Sequence, residues 1–420
     1  MVVVRAGTLI VAGSVLAACS GPGAGPSPEV PSGQASTARP SVVATEDCPT
    51  GTGETALPEA GSLFHQPEII TDYLNAGGDV DRLLETLTSG GLLPVYPQAW
   101  PAAIEDLDGD GQLDLAASLQ DLSAPMAQRP PGSLFIWLCR EGRYDLLYQS
   151  PAEPDHSAPL LLAAADLTGD QASELVFGRP ACGAHTCFLA VGVLQWDGVD
   201  FVDRWRGSSE DLPTPEVSVS QPSPSAAASI SVTSKGVQSV GAGPPRPRTR
   251  RWSWDEEMLA FMPGPDVWSS PVYRVHMVHD ADRAYRKADN ISAEALYLEA
   301  LEEAGLLDWE ADPATPASLD AYIRYRLVLN DLAQSDIEDA QADLDAMAEA
   351  SRGIPEAGVF VEMAQLLVTV YRDSLDLAQA CSSVRGFAED HVSGVLEPLY
   401  YGYDNPVYTA EDLCPASQEA

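Results

Sequence analysis

Residues 104–118 read Ile104-Glu105-Asp106-Leu107-Asp108-Gly109-Asp110-Gly111-Gln112-Leu113-Asp114-Leu115-Ala116-Ala117-Ser118. An apolar residue leads into an acidic turn, and a second apolar run leads out of it. The pattern returns about sixty residues later as Ala163-Ala164-Ala165-Asp166-Leu167-Thr168-Gly169-Asp170-Gln171-Ala172-Ser173-Glu174-Leu175-Val176-Phe177-Gly178. After each copy comes a strand-like run, 133–139 and then 187–194, and each run reaches a Glu-Gly or Asp-Gly turn. Such a turn between apolar runs is a hairpin signal. A third, worn copy is expected over 230–262, where Gly236–Ala242 precedes Trp252, Trp254 and Phe261. Residues 213–229, rich in Pro, Ser and Ala, read as a long surface loop between copies two and three.

The chemistry of the first copy is explicit. Asp106, Asp108 and Asp110 stand at positions 1, 3 and 5 of a loop, and Gly111 at position 6 suits a sharp turn with positive φ. Gln112 can offer its carbonyl at position 7, and Asp114 stands at position 9. Calcium takes six to eight hard oxygens at flexible distances, and this spacing lets one turn supply most of them. Ala117 stands where a helix–loop–helix site carries its bidentate Glu, so a Ca²⁺ loop between strands is expected. The second copy keeps Asp166, Thr168, Asp170 and Glu174 but has Gln171 in place of the turn glycine, which makes it the weaker candidate. The Asp-x-Asp-x-Asp-Gly-x-x-Asp motif resembles the calcium loops of FG-GAP and VCBS-type β-propeller repeats over roughly residues 95–262. That resemblance implies antiparallel blades and bound Ca²⁺. Three blades fall short of a closed ring, which takes four to eight. An open stack, covering helices or a partner is then expected to shield the end faces. Two amphipathic pieces within 58–94 can serve as a cover: Ile69, Ile70, Tyr73, Leu74, then Val80, Leu83, Leu84, Leu87.

The start of the chain carries an address. Residues 1–18 hold one Arg, Arg5, and a short apolar stretch that ends in Leu16-Ala17-Ala18 before Cys19. That layout is an export signal, too short to span a bilayer. Its ending resembles the lipobox of bacterial lipoproteins, which implies a lipid on Cys19 and a lipid-anchored, extracytoplasmic location in the cell envelope. Residues 19–57 are rich in Pro, Ser and Gly. They are expected to stay disordered, because they bury too little apolar surface to offset ordering entropy. A flexible 26-residue part of them, 20–45, spans roughly 28 Å.

Six cysteines remain after Cys19, an even number that suits disulfides outside the cytoplasm. Proximity favours Cys182 with Cys187, and Cys381 with Cys414 would tie the tail to the last helix. Cys48 with Cys139 follows by subtraction. A metal site at Cys182, His185 and Cys187 is the rival reading and lacks a fourth ligand.

From about residue 266 the pattern becomes helical. Ala293/Tyr297/Ala300, Ala340/Leu344/Met347 and Ala380/Val384/Phe387 each put a small residue and larger apolar ones on one helical face. These resemble the second helices of tetratricopeptide repeats, with first helices expected over 273–288, 318–333 and 356–372. An irregular α-bundle with the same packing is the alternative. The fold class is therefore α+β and multidomain: incomplete β-propeller-like antiparallel repeats over 95–265, then a tetratricopeptide-like helical domain over 266–420. The aromatic tail 400–406 is read as a cap or a contact patch.

Composition narrows function. Asp and Glu number 62 against 23 Lys and Arg, a net charge of −39. That excludes general nucleic-acid binding and electrostatic docking on anionic membranes. From residue 271 onward 29 acidic residues face 9 basic ones, so any partner is expected to be basic or neutral. No Gly-x-Ser-x-Gly elbow, His-Glu-x-x-His helix or P-loop occurs. His276 and His279, three apart, are read as a satisfied or solvent-facing pair rather than metal ligands. The expectation is a non-enzymatic envelope lipoprotein with a calcium-stabilised β module and a helical module that binds a protein or peptide. An envelope glycan- or peptide-acting hydrolase is the alternative, and a small-solute-capturing lipoprotein is a third reading.

Overall fold

The computed structural model describes residues 47–49, 51, 55–57, 59, 63–96, 99–124, 130–153, 155–221, 226–309 and 315–415. The export segment, Cys19 and the tether through residue 46 lie outside these residues.

Two helices open the described body, α1 (Glu68–Asn75) and α2 (Val80–Ser89). Asp79 caps α2 by accepting from the Arg82 N–H at 2.8 Å. Ile70, Tyr73 and Leu74 of α1 and Leu83, Leu84 and Leu87 of α2 recur at helical spacing and are buried.

Three antiparallel meander sheets follow. The first is β1 (Ala102–Glu105), β2 (Asp114–Gln120), β3 (Gly132–Arg140) and β4 (Arg143–Gln149), paired in chain order. The second is β5 (Leu160–Ala165), β6 (Glu174–Cys182), β7 (Cys187–Trp196) and β8 (Phe201–Asp203). The third is β9 (Pro215–Ser220), β10 (Ser229–Ser234), β11 (Arg248–Asp255) and β12 (Ala260–Pro263), with β13 (Val267–Trp268) also on β11. The third copy thus starts at residue 215, inside the stretch read as a long surface loop. In β9, Val217 and Val219 alternate with Glu216, Ser218 and Ser220, and the Pro/Ser composition hid that period of two. The sheet module also runs three residues past the expected boundary at 265, through β13.

The sheets stack face to face. α1 and α2 cover the outer face of the first sheet, against Leu115, Ala117, Phe135 and Trp137. Ala116, Leu134, Ile136 and Leu138 on its other face meet Leu161, Leu175, Phe177 and Trp196 of the second sheet. Val176, Val191 and Val193 then meet Ile230, Val232, Trp252 and Phe261 of the third. β2 and β3 are buried on both faces, which is why their sequences run apolar without alternation. The far face of the third sheet carries Ser218, Ser231, Thr233, Thr249 and Arg251 at paired register. Met262 and Val267 aside, a fourth blade would find a polar surface there, so the stack ends in water, as capping repeats of stacked arrays do. Among the described residues the sheets form an open stack, not a closed ring. The β4 edge is shielded as well: the Asn75 amide pairs with Tyr144, accepting from its N–H at 2.7 Å and donating to its carbonyl at 2.9 Å.

Among the described residues six long helices lead the second half, α3 (Arg274–Arg286), α4 (Asn290–Glu302), α5 (Thr315–Ala333), α6 (Ile337–Ala350), α7 (Pro355–Ser374) and α8 (Leu377–Asp390), and the short α9 (Val392–Val395) and α10 (Ala410–Leu413) follow. They pack as α3 with α4, α5 with α6 and α7 with α8. One turn recurs between the partners. Ala288, Ser335 and Leu375 take positive φ, and each is followed by an Asp (Asp289, Asp336, Asp376) whose side chain caps the next helix. Four residues past each cap stand Ala293, Ala340 and Ala380, all fully buried. Asp282 of α3 and Arg326 of α5 pair at 3.1 Å in the middle of the bundle, both almost inaccessible. The hydroxyls of Tyr322 and Tyr408 donate to Asp282 at 3.1 and 2.5 Å, and Tyr297 donates to it too. A buried ion pair survives desolvation only when such hydrogen bonds complete it.

The halves are joined. Arg246, just before β11, makes two 2.7 Å contacts to the Asp280 carboxylate and donates to the His276 carbonyl at 3.0 Å. The tail seen as a cap or contact patch lies on the sheet module: the Val237 N–H donates to Asp404 at 2.7 Å, and the Asp404 N–H to the Ala242 carbonyl at 3.1 Å. A Cβ on Gly243 would lie 1.8 Å from the Tyr401 carbonyl oxygen, so only glycine permits this approach.

Candidate metal centre

Residues 106–113 turn from β1 into β2. Gly109 and Gly111 take φ of 78° and 89°, which lets the turn close on itself. The Asp106 carboxylate accepts from the Gly109 and Gly111 N–H groups at 2.8 and 2.9 Å. Asp114 begins β2 with no exposed surface. Its oxygens accept from Leu107 and Cys139 N–H, each at 2.7 Å, and so pin the loop to β3. Burial pushes the Asp114 carboxyl up to about 7; the two N–H groups oppose that shift, and Asp108 and Asp106 add to it. Asp108 accepts from Arg140 Nε at 2.8 Å, and that guanidinium lies 4.4 Å over the Trp196 ring.

One oxygen each from Asp106, Asp108 and Asp114 lie within 4.8 Å of one another. Two oxygens bound to one Ca²⁺ at roughly 2.4 Å each can be about twice that distance apart. The trio is therefore close enough to share one metal ion, and its all-oxygen donor set is the kind that hard cations take. Asp110 is outside the trio. It accepts from the Gln112 N–H at 2.7 Å, and burial nudges its carboxyl upward. The Gln112 amide lies 3.5 Å from Asp47.

The second loop, 166–173, repeats the scaffold. Asp166 accepts from Gly169 and Gln171 N–H at 2.6 and 3.0 Å, and Glu174 accepts from Leu167 N–H at 2.6 Å. Gln171 reaches φ 80° without being glycine, so the fold imposes the turn at a cost in strain. Burial raises the Glu174 carboxyl to about 7. Here the side chains close on a protein group: Gln195 Nε2 stands 3.0 Å from Asp170, 3.0 Å from Glu174 and 3.4 Å from Thr168. The equivalent segment of the third sheet, 221–228, has no carboxylate at all.

The loops also fasten the sheets together. The Ser173 N–H donates to the Asp106 carbonyl at 2.8 Å, and Gln221 Nε2 to the Asp166 carbonyl at 2.8 Å. Anything that orders the first loop thereby steadies the joint between the first two sheets.

Cys48 pairs with Cys139, Cys182 with Cys187 and Cys381 with Cys414. Cys182 and Cys187 are thus consumed in a disulfide, which leaves no metal site with His185. Three disulfides suit a non-cytoplasmic protein. Among the described residues no helix is long and apolar enough to cross a membrane. His276 and His279 are buried, not solvent-facing; burial holds them near 4 and 3, so both are neutral. Arg140, Gln195 and Arg204 escaped the sequence reading. The signal for Gln195 was its place as a lone amide after the apolar run 188–194. No protein-family model, curated protein or solved structure matches this chain.

Proposed function

We propose that the chain is a lipid-anchored cell-envelope protein without catalytic activity, whose sheet module is stabilised by Ca²⁺ and whose helical module binds a protein or peptide. The convergence of Asp106, Asp108 and Asp114 within 4.8 Å carries the calcium part. Cys19 as the lipid-bearing residue and an FG-GAP- or VCBS-like origin of the sheets belong to the same proposal and rest on the motifs. Bound Ca²⁺ neutralises part of the loop charge and rigidifies the joint between sheets. Addition of Ca²⁺ should raise the melting temperature, and Asp108→Ala should abolish most of that rise. A melt unchanged by EDTA overturns the calcium reading.

The binding part rests on the helical pairs, read as tetratricopeptide-like, and on one concavity. The N-terminal ends of α3, α5 and α7 surround a cavity of about 440 Å³ lined by Arg274, Asp308, Asp320, Arg324 and Ser351. Stacked helical pairs present extended surfaces of this kind to peptides. A basic or neutral partner suits the acidic surroundings. Co-purification of the anchored protein with its neighbours, repeated with Asp320→Arg, tests this. Loss of a recovered partner in the variant supports the reading, and unchanged recovery overturns the cavity as its site.

A further inference from the structure

The two acidic loops share a backbone scaffold but differ in what fills them. In the first and second sheets Leu115 pairs with Trp137 and Leu175 with Leu194. Leu138 and Gln195 each come one residue later, so they occupy equivalent positions. Leu138 is apolar and packs into the core between the first two sheets. It offers nothing to the carboxylates of its own loop. Gln195 is buried, with 7% of its surface exposed, and turns its amide into the second loop.

The orientation of that amide is fixed by chemistry. Arg204 Nε donates to Gln195 Oε1 at 2.9 Å, and a guanidinium has only donors, so it must meet the amide oxygen. The NH₂ group therefore faces Asp170 and Glu174, both at 3.0 Å, with Thr168 Oγ1 at 3.4 Å. Thr168 also donates to Glu174 at 3.1 Å. Three of the four side chains at the ligand positions of this loop thus converge on one nitrogen. Among the described residues only Asp106, Asp108 and Asp114 form a group of three or more His, Cys, Asp or Glu side chains that close together in this way.

We infer that Gln195 is a built-in substitute for a cation, which closes the second loop to calcium and leaves the chain one Ca²⁺ instead of two. Its amide supplies the positive edge that the ion would otherwise provide, and Arg204 supplies the charge behind it. The count of one in the unaltered chain rests on the calcium reading of the first loop; the role of Gln195 does not.

Calorimetric titration of CaCl₂ into the full, disulfide-intact chain tests the inference with four proteins: unaltered, Asp108→Ala, Gln195→Ala, and the double variant. The expected stoichiometries are one, none, two and one. Two ions in the unaltered chain, one of them persisting in Asp108→Ala, overturn the inference whether or not Gln195→Ala folds. So does a Gln195→Ala protein with native near-ultraviolet circular dichroism that binds no more Ca²⁺ than the unaltered chain. No ion in the unaltered chain but one in Gln195→Ala removes the first-loop reading and supports the role of Gln195.

Discussion

At the scale of single residues, the second loop shows how a fold overrides local preference. Gln171 sits at φ 80° in the position filled by Gly111 in the first loop. A non-glycine residue held there costs roughly 1–2 kcal/mol, while glycine adds roughly 0.5–1 kcal/mol of unfolded-chain entropy. Gln171→Gly should therefore stabilise the protein by about 0.5–1 kcal/mol, read as a higher denaturant midpoint at unchanged slope. A lower midpoint would show that the Gln171 side chain contributes more than its strain costs. Gly109 and Gly111 were legible as turn residues because the chemistry of positive φ is local. Gln195 was not legible as a loop residue, because its partners are 21 to 27 positions away and meet it only through strand pairing.

At the scale of elements, the disulfides differ in what they constrain. Cys48–Cys139 closes 91 residues and Cys182–Cys187 only 5. The chain-entropy argument gives about 4.6 and about 2 kcal/mol respectively, so Cys48→Ser with Cys139→Ser should cost more than twice the hairpin pair. Paired denaturation curves check this, and equal losses would mean that strain, not loop length, dominates. Helix α3 sets a pH dependence. Burial depresses His276 and His279 to about 4 and 3, below their usual range, so the unfolded chain binds protons that the folded chain does not. Their contribution is whole above about pH 6.5 and is lost as pH falls toward 4, with a slope of roughly 1.4 kcal/mol per pH unit for each histidine. Asp331 acts in the opposite sense. Burial raises it to about 7, with Asp343 and Glu294 adding to the shift, so its penalty is relieved over the same range. His276→Gln with His279→Phe should flatten the acid side of the stability profile relative to the unaltered protein, and a profile of unchanged steepness would remove the histidines as its cause. The helix pairs themselves were largely legible, since α3, α5 and α7 fall within three residues of the expected first helices and Ala293, Tyr297, Ala340 and Ala380 are buried. The β9 strand was not, because Pro and Ser are turn formers by composition and edge-strand residues only in context.

At the scale of the whole molecule, the sheet stack and the helical half meet through Arg246, whose side chain is 7% exposed against Asp280. Arg246→Ala leaves Asp280 its Arg283 partner, so the loss should fall below the roughly 3 kcal/mol of a stranded buried charge. Arg246→Ala should also split one calorimetric transition into two as the halves uncouple, and a single transition at lower temperature would show that the tail contacts at Asp404 suffice. The sequence by itself determined the order of parts: acidic loops between strands, paired helices after them, cysteines enough for three bridges. These follow from periodicity, turn chemistry and composition, which act over a few residues. Only the tertiary structure decided how the three sheets end, with a mostly polar face on one side and two helices on the other in place of a further blade. It also decided which carboxylates converge and which are met by an amide, since that depends on side chains from strands far apart in the chain arriving at one point.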